Sequence, residues 1–440
     1  MSTPIPAVPA SVVAVSTGIL PRRALPVALR RLREARGLVV NGPRQAGKSE
    51  LLRMLEQEVG GDLLTLDRPA HLRLARTDPT GFIADRARPT YIDEVQRGGD
   101  PLVLAIKVLL DESQARGQVV LAGSTRFLTE PRLSESLAGR VRFVDLWPLS
   151  QGEIERGGEH SDEFIDSVFR TTAELRERAS AAPALGRREL YERLCIGGFP
   201  EAVTASSPRG RSDFFADYIR TISQRDIAEL SRLAQRVDLP KVLRLLAERT
   251  ATITNRSKLA QAVGMSEDSM RRYLPLVETI FLTFELGAYA GSSAARTRRR
   301  PKVHITDTGL AASLLELDAQ RLLSPDATRV GQLLETFVVM EIVKQLGWSN
   351  QRVSLSHYRS EDDREVDLLM ETPDGRLVGI EVKAAIDGAD RDFSHLAHIR
   401  NRFGDRFVNG VVLHCGQTVE RWGDRLTSAP VSALWSASDR

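Results

Sequence analysis

Gly42-Pro43-Arg44-Gln45-Ala46-Gly47-Lys48-Ser49 stands directly after the apolar run Leu38-Val39-Val40 and directly before the helical run Leu51-Leu52-Arg53-Met54-Leu55. This is the spacing G-x-x-x-x-G-K-[ST] in the strand, loop and helix context that gives it meaning. The glycines let backbone N–H groups converge on phosphate oxygens at a helix N-terminus, Lys48 reaches the β and γ phosphates, and the Ser49 hydroxyl ligates Mg²⁺. Outward from the loop, Gly37-Leu38-Val39-Val40, Asp62-Leu63-Leu64-Thr65-Leu66, Pro89-Thr90-Tyr91-Ile92 and Gln118-Val119-Val120-Leu121 read as strands buried on both faces, with amphipathic stretches between them. That alternation predicts a parallel sheet with helices on both faces.

Length and composition set the limits. The 440 residues, 42% of them apolar, suit about two to four domains and exclude a disordered chain. A formal charge of +3 is too small for the whole chain to act as a polycation, so nucleic-acid affinity would have to come from local patches. Cys195 and Cys415, far apart, exclude a disulfide scaffold and a thiolate zinc site, and point to an intracellular, cytoplasmic protein. No stretch approaches 18 uninterrupted apolar residues, so no membrane span is expected. Only seven of the 61 cationic residues are Lys. Positive charge here is supplied by Arg, so each Lys raises the question of why the compact, deprotonable cation was kept.

The chemistry of the loop needs acids beside it. Thr90-Tyr91-Ile92-Asp93-Glu94 is an apolar strand ending in two carboxylates, and the carboxyl ends of parallel strands face the ligand. Asp93 is expected to support the magnesium beside Ser49, and Glu94 to polarise an attacking water, which favours hydrolysis over transfer to a hydroxyl. The strand Val119 to Leu121 runs into Ala122-Gly123-Ser124-Thr125-Arg126, so Ser124 or Thr125 is expected to sense the γ phosphate. In Leu137-Ala138-Gly139-Arg140-Val141-Arg142 an Arg, taken as Arg140, could complete the charge cage in cis or from a neighbouring subunit of a homo-oligomer.

Beyond this domain the pattern changes. Residues 1–20 read as a loose arm, 21–160 as the phosphate-loop domain, 161–235 as a helical lid or linker, 236–323 as a winged-helix domain and 324–440 as a second α/β domain. The helices around Gly264, with Ser266 as a cap and Leu259, Val263, Met270 and Leu274 as the apolar stripe, have helix-turn-helix spacing. A strand over Thr279 to Leu286 and the basic loop 295–302 would form a wing, with Ser269, Arg271 and Arg272 facing a DNA groove. In the last block Glu335 lies on a helix and Asp367 on a strand. After a turn at Pro373-Asp374-Gly375, Glu381 and Lys383 share one face of the next strand. Two carboxylates and a Lys around one point can hold a second Mg²⁺ or Mn²⁺, with Asp367 and Glu381 as ligands, and activate a water for phosphodiester attack.

Two resemblances follow from these residues. Asn41 to Ser49, Ile92-Asp93-Glu94-Val95-Gln96, Ala122 to Thr125, Ser136 to Val141 and Leu146-Trp147-Pro148-Leu149-Ser150-Gln151-Gly152-Glu153 look like the prokaryotic AAA-type ATPases that carry a C-terminal domain of unknown function. Gly197-Gly198-Phe199-Pro200-Glu201 and His304-Ile305-Thr306-Asp307-Thr308-Gly309-Leu310 match the second half of that family. The resemblance implies ATP binding from Gly42 to Ser49 and departs mildly at Arg126. The order helix Glu, strand Asp, E-x-K resembles the PD-(D/E)xK nuclease superfamily. One reading of the whole is an Mg-dependent ATPase coupled to a DNA-binding winged helix and a metal-dependent nuclease-like domain. The other is an ATP-dependent regulatory or protein-interaction switch whose nuclease-like domain cleaves nothing.

Overall fold

The structure is a computed structural model that describes residues 20–124, 137–156, 163–224, 238–289, 300–360 and 364–436. Its N-terminal sheet holds β1 (Gly37–Asn41), β2 (Asp62–Thr65), β3 (Thr90–Asp93), β4 (Val119–Gly123) and β5 (Val141–Asp145) in the order β2-β3-β4-β1-β5, all pairs parallel. Successive side chains on a strand point to opposite faces, and the burial follows that rule. Leu38, Val40, Tyr91, Val120 and Val144 pack under the helices Ala24–Glu34 and Lys48–Val59. Val39, Ile92, Leu121 and Val141 pack under Pro79–Ala84 and Gly99–Glu112. The apolar runs are continuous because both faces are covered. The insertion of β4 between β1 and β3 sets the carboxyl ends of these three strands side by side.

The middle of the chain adds a small antiparallel sheet of β6 (Thr252–Ile253), β7 (Thr283–Leu286) and β8 (Lys302–Ile305), order β6-β8-β7, beside the helices Leu239–Glu248, Arg256–Val263 and Glu267–Thr279. Gly264 closes one helix in the left-handed conformation, and Ser266 caps the next by accepting from Ser269 N at 3.1 Å. The expected strand over Thr279 to Leu286 begins only at Thr283, because the buried stripe Tyr273, Leu274 and Val277 carries the helix through Thr279.

The C-terminal sheet holds β9 (Ser354–Arg359), β10 (Glu365–Glu371), β11 (Leu377–Lys383), β12 (Phe407–His414), β13 (Glu420–Arg421) and β14 (Leu426–Pro430), order β13-β14-β12-β11-β10-β9. β10 and β11 form the expected antiparallel hairpin, and β11, β12 and β14 run parallel. The helix Val330–Gln345 is buried almost throughout, and Ser394–Phe403 covers the opposite face through Leu396 and Ile399.

One hydrophobic cluster runs from Trp147 to Trp435, joining the middle and C-terminal parts across the boundary expected near 323. The stretch expected as a helical lid or linker starts against the C-terminal half. Asp166 accepts from Ser349 Oγ at 2.8 Å and Gln351 N at 2.9 Å, and Asn409 Nδ2 donates to Val168 O at 2.8 Å. Residues 163–180 thus pack on the C-terminal half and not over the phosphate loop. The family motifs interlock structurally: Gly198 N donates to the buried Asp307 at 2.7 Å and Gly198 O accepts from Leu149 N at 2.7 Å. A Cβ on Gly198 would come within 2.2 Å of Leu149 O, which no side chain permits.

Candidate active site

The phosphate loop leaves β1 at Asn41 and closes into a helix at Lys48. A Cβ at Gly42 would sit 2.2 Å from Leu146 O, and Gly47 has φ 94°, so both positions need glycine. Lys48 is buried, and its Nζ donates to Gly42 O at 2.9 Å and Pro43 O at 2.7 Å. Across the width of β4, the Ser49 hydroxyl donates to Asp93 Oδ2 at 2.5 Å, while Asp93 Oδ1 accepts from Glu94 N at 3.0 Å. Loop and acidic strand end therefore meet at one corner.

Glu94 leaves β3 with φ 54° and ψ 42°, the left-handed region that few side chains adopt. Burial pushes its carboxyl above the ordinary value, opposed by the positive charges of Lys48 and Arg44. Gln96, which the sequence reading did not single out, donates from Nε2 to Glu94 Oε2 at 2.5 Å and to Ser124 Oγ at 3.2 Å. Ser124, 2% exposed, stands at the end of β4 as expected. Thr125 and Arg126 lie outside the described residues.

Arg22 was also missed. Its guanidinium donates to Ala46 O at 2.6 Å, Trp147 O at 2.6 Å and Glu153 Oε1 at 3.1 Å, so it braces the phosphate loop from behind. Nothing in the sequence separates this Arg from the others.

Arg140 does not reach the site in its own chain. Its carbonyl accepts from Gly37 N, which places it at the amino end of β1, about 16 Å of strand away from the loop at a rise of about 3.3 Å per residue. Its guanidinium is engaged by Asp111, Nε to Oδ1 at 2.6 Å and Nη2 to Oδ2 at 2.9 Å.

In the C-terminal half, Leu368 pairs with Ile380, which sets Asp367 and Glu381 opposite each other on β10 and β11, and their carboxyls share a hydrogen bond. Burial and the neighbouring Asp367 charge push Glu381 well above its ordinary value. Lys383 Nζ lies 3.4 Å from Glu381, and Val382 N donates to Asp367 at 2.9 Å. Glu335 joins them only through Lys302. That ammonium, 3% exposed, sits 2.7 Å from Glu335, 2.6 Å from Glu365 and 3.5 Å from Asp367. Burial alone would lower the Lys302 pKa, but the charges of Glu335, Asp367 and Glu365 outweigh it and raise it. Among the described residues no group of three or more His, Cys, Asp or Glu could hold a metal, while the expected ligand pair Asp367 and Glu381 is brought together. Lys302, expected in a DNA-facing loop, is turned inward. The scarcity of Lys was the signal that could have found it.

Arg271 and Arg272 are exposed on the helix Glu267–Thr279, but each pairs with Asp268 at 2.7 Å. Of the basic loop, residues 295–299 lie outside the described residues. Among the described residues no helix is long and apolar enough to cross a membrane.

Residues 34–155 match an AAA domain, residues 187–321 a domain of unknown function (DUF8612) and residues 330–434 a second one (DUF4143). The chain is 28% identical over 371 residues to an uncharacterized protein of Mycobacterium tuberculosis, covering 84% of this chain and 75% of that one. It is 23% identical over 326 residues to an uncharacterized protein of Haemophilus influenzae, covering 72% and 71%. Solved structures that resemble it include a Walker-type ATPase of Pyrococcus abyssi (14% identity, TM-score 0.40, 67% of this chain and 94% of that one). The RuvB Holliday junction branch migration motor of Thermotoga maritima is another (14% identity, TM-score 0.29, 67% and 93%). The match over residues 34–155, falling on the strands and loop whose geometry is given above, identifies the N-terminal part of the chain as an AAA-type P-loop domain.

Proposed function

We propose that the chain hydrolyses ATP at the corner where Ser49, Asp93, Glu94 and Ser124 meet. The observation that carries this is the Ser49–Asp93 contact, which brings a phosphate loop and an acidic strand end together across an intervening strand. The residues fit Mg²⁺ as well: a hydroxyl and a carboxylate oxygen only 2.5 Å apart form a hard oxygen donor pair. Mg²⁺ held there would neutralise charge on the β and γ phosphates. Lys48 exchanges its two loop carbonyls for phosphate oxygens. Glu94 accepts the proton of the attacking water as the γ-phosphoryl group passes from the β-phosphate oxygen to the water oxygen. Lys48→Ala is expected to lower ATP affinity at least tenfold in isothermal titration; unchanged binding would sink the reading.

For the remainder, a winged helix and a PD-(D/E)xK-like domain remain our reading, supported by the helix, strand and hairpin order and by the meeting of Asp367, Glu381 and Lys383. The salt-bridged Lys302 favours the switch over the nuclease, since the acids are already charge-compensated. Arg271 and Arg272, partly neutralised by Asp268, offer phosphates less than their number suggests. Mobility of duplex DNA at two salt concentrations separates the alternatives, because phosphate contacts predict a steep loss of affinity with salt.

A further inference from the structure

Glu94 and Ser124 come from different strands, yet one side chain touches both. The short turn Val95–Gly98 is entered through the left-handed Glu94, and this reversal brings Gln96 back over the strand end. A primary amide nitrogen carries two protons, and Gln96 Nε2 has two acceptors in reach: Glu94 Oε2 at 2.5 Å and Ser124 Oγ at 3.2 Å. The direction of these bonds has consequences. Because Ser124 Oγ accepts from Gln96, its own proton stays available for a phosphate oxygen. Because Glu94 also accepts from Gln96, one of its carboxylate oxygens is fixed in place. Gln96 Oε1 is buried and has no hydrogen-bond partner among the described residues, which costs about 1–3 kcal/mol when left so.

We propose that Gln96 is a positioning residue for hydrolysis, holding the Glu94 carboxylate and the Ser124 hydroxyl in one register through a single amide nitrogen and offering Oε1 to the attacking water. The inference rests on the ATP-hydrolase reading above and names how that site is aligned. It accounts for the left-handed Glu94: an extended backbone there would carry Gln96 away from both partners.

The test is steady-state hydrolysis and ATP titration on the full chain carrying Gln96→Ala, with Gln96→Glu as the second variant. For Gln96→Ala, ATP affinity is expected within about twofold of wild type, while kcat falls about 10- to 100-fold, part of the 10²- to 10⁴-fold that a positioned base contributes. A KM within about twofold of wild type beside that fall would place the effect on the chemical step and not on binding. Gln96→Glu should lower kcat at least as far, since a carboxylate has no N–H to donate to Glu94 or Ser124. Adding Glu94→Gln to Gln96→Ala should cost little beyond Glu94→Gln alone, as groups acting as a unit do not add. Unchanged kcat, or fully additive losses, would overturn the inference while leaving the hydrolase reading standing. Absence of any turnover in the wild-type chain would remove both.

Discussion

Glu94 occupies a conformation that disfavours a side chain by about 1–2 kcal/mol, in a place that also strips part of its water. Its carboxyl is therefore raised above the ordinary value. The sign for activity follows: the group takes up a proton from water only when ionised, so turnover should fall as pH drops through a value above that of a free carboxylate. Glu94→Gln should bind ATP as the wild type does, lose about 10²- to 10⁴-fold in phosphate release, and lose the acid limb with it. Stability has the opposite sign. A carboxyl with a raised folded pKa binds its proton more tightly in the folded state, so it destabilises the fold increasingly as pH climbs past its ordinary value. The variant should then melt no lower than wild type at pH 8 in scanning calorimetry. Full turnover would take Glu94 out of the mechanism.

At the scale of elements, what the sequence revealed and what it hid divide along a physical line. The phosphate loop, the acids ending β3 and the hairpin of β10 and β11 were legible because each is a local pattern: glycines that backbone geometry demands, strands buried on both faces, a Pro-Asp-Gly turn. Arg140 falls at the far end of the sheet within its own chain, because a motif gives sequence neighbours, while only the strand pairing tells which end of the sheet they occupy. Gln96 and Arg22 stayed hidden since their partners lie 28 and 131 residues away at Ser124 and Glu153. Lys302 illustrates the same limit. On β8 it reads as one more wing cation, yet it neutralises acids on the helix Val330–Gln345 and on β10. Lys302→Ala should destabilise the chain by about 3–5 kcal/mol, the cost of leaving buried charges without a partner. Added Mg²⁺ should recover part of the lost melting temperature if the vacated acids take a cation. A melting temperature equal to wild type would mean the ion cluster contributes nothing.

Over the whole molecule, buried polar contacts lead from the phosphate loop into the C-terminal half. Arg22 links Ala46 to Glu153, and Glu153 accepts also from Ser150 N at 2.9 Å. The neighbouring Gln151 N donates to Glu341 at 2.9 Å, while Lys344 bonds Glu341 at 2.8 Å and Leu149 O at 2.9 Å. Three of the scarce lysines, Lys48, Lys302 and Lys344, are thus buried in these ionic and loop contacts. Glu153→Gln removes the negative charge paired with Arg22 while keeping the side-chain volume. It should lower both melting temperature and ATP affinity, the latter by about 3- to 10-fold, in the 1 kcal/mol range of a weakened charge-assisted hydrogen bond. A lower melting temperature with unchanged affinity would reduce Arg22 to a strut.

The borrowed cation of the carboxylate cluster also bears on how such chains are inherited. Lys302 falls within the segment 187–321, and its acids Glu335, Glu365 and Asp367 within the segment 330–434. A recombination crossing the eight residues between them with a chain that lacks these charges would leave a buried ammonium without its acids, or three crowded acids without their counter-ion. With a donor that lacks either side of this match, the two segments can be exchanged only as a pair, and a chimaera that swaps one alone should emerge as insoluble protein.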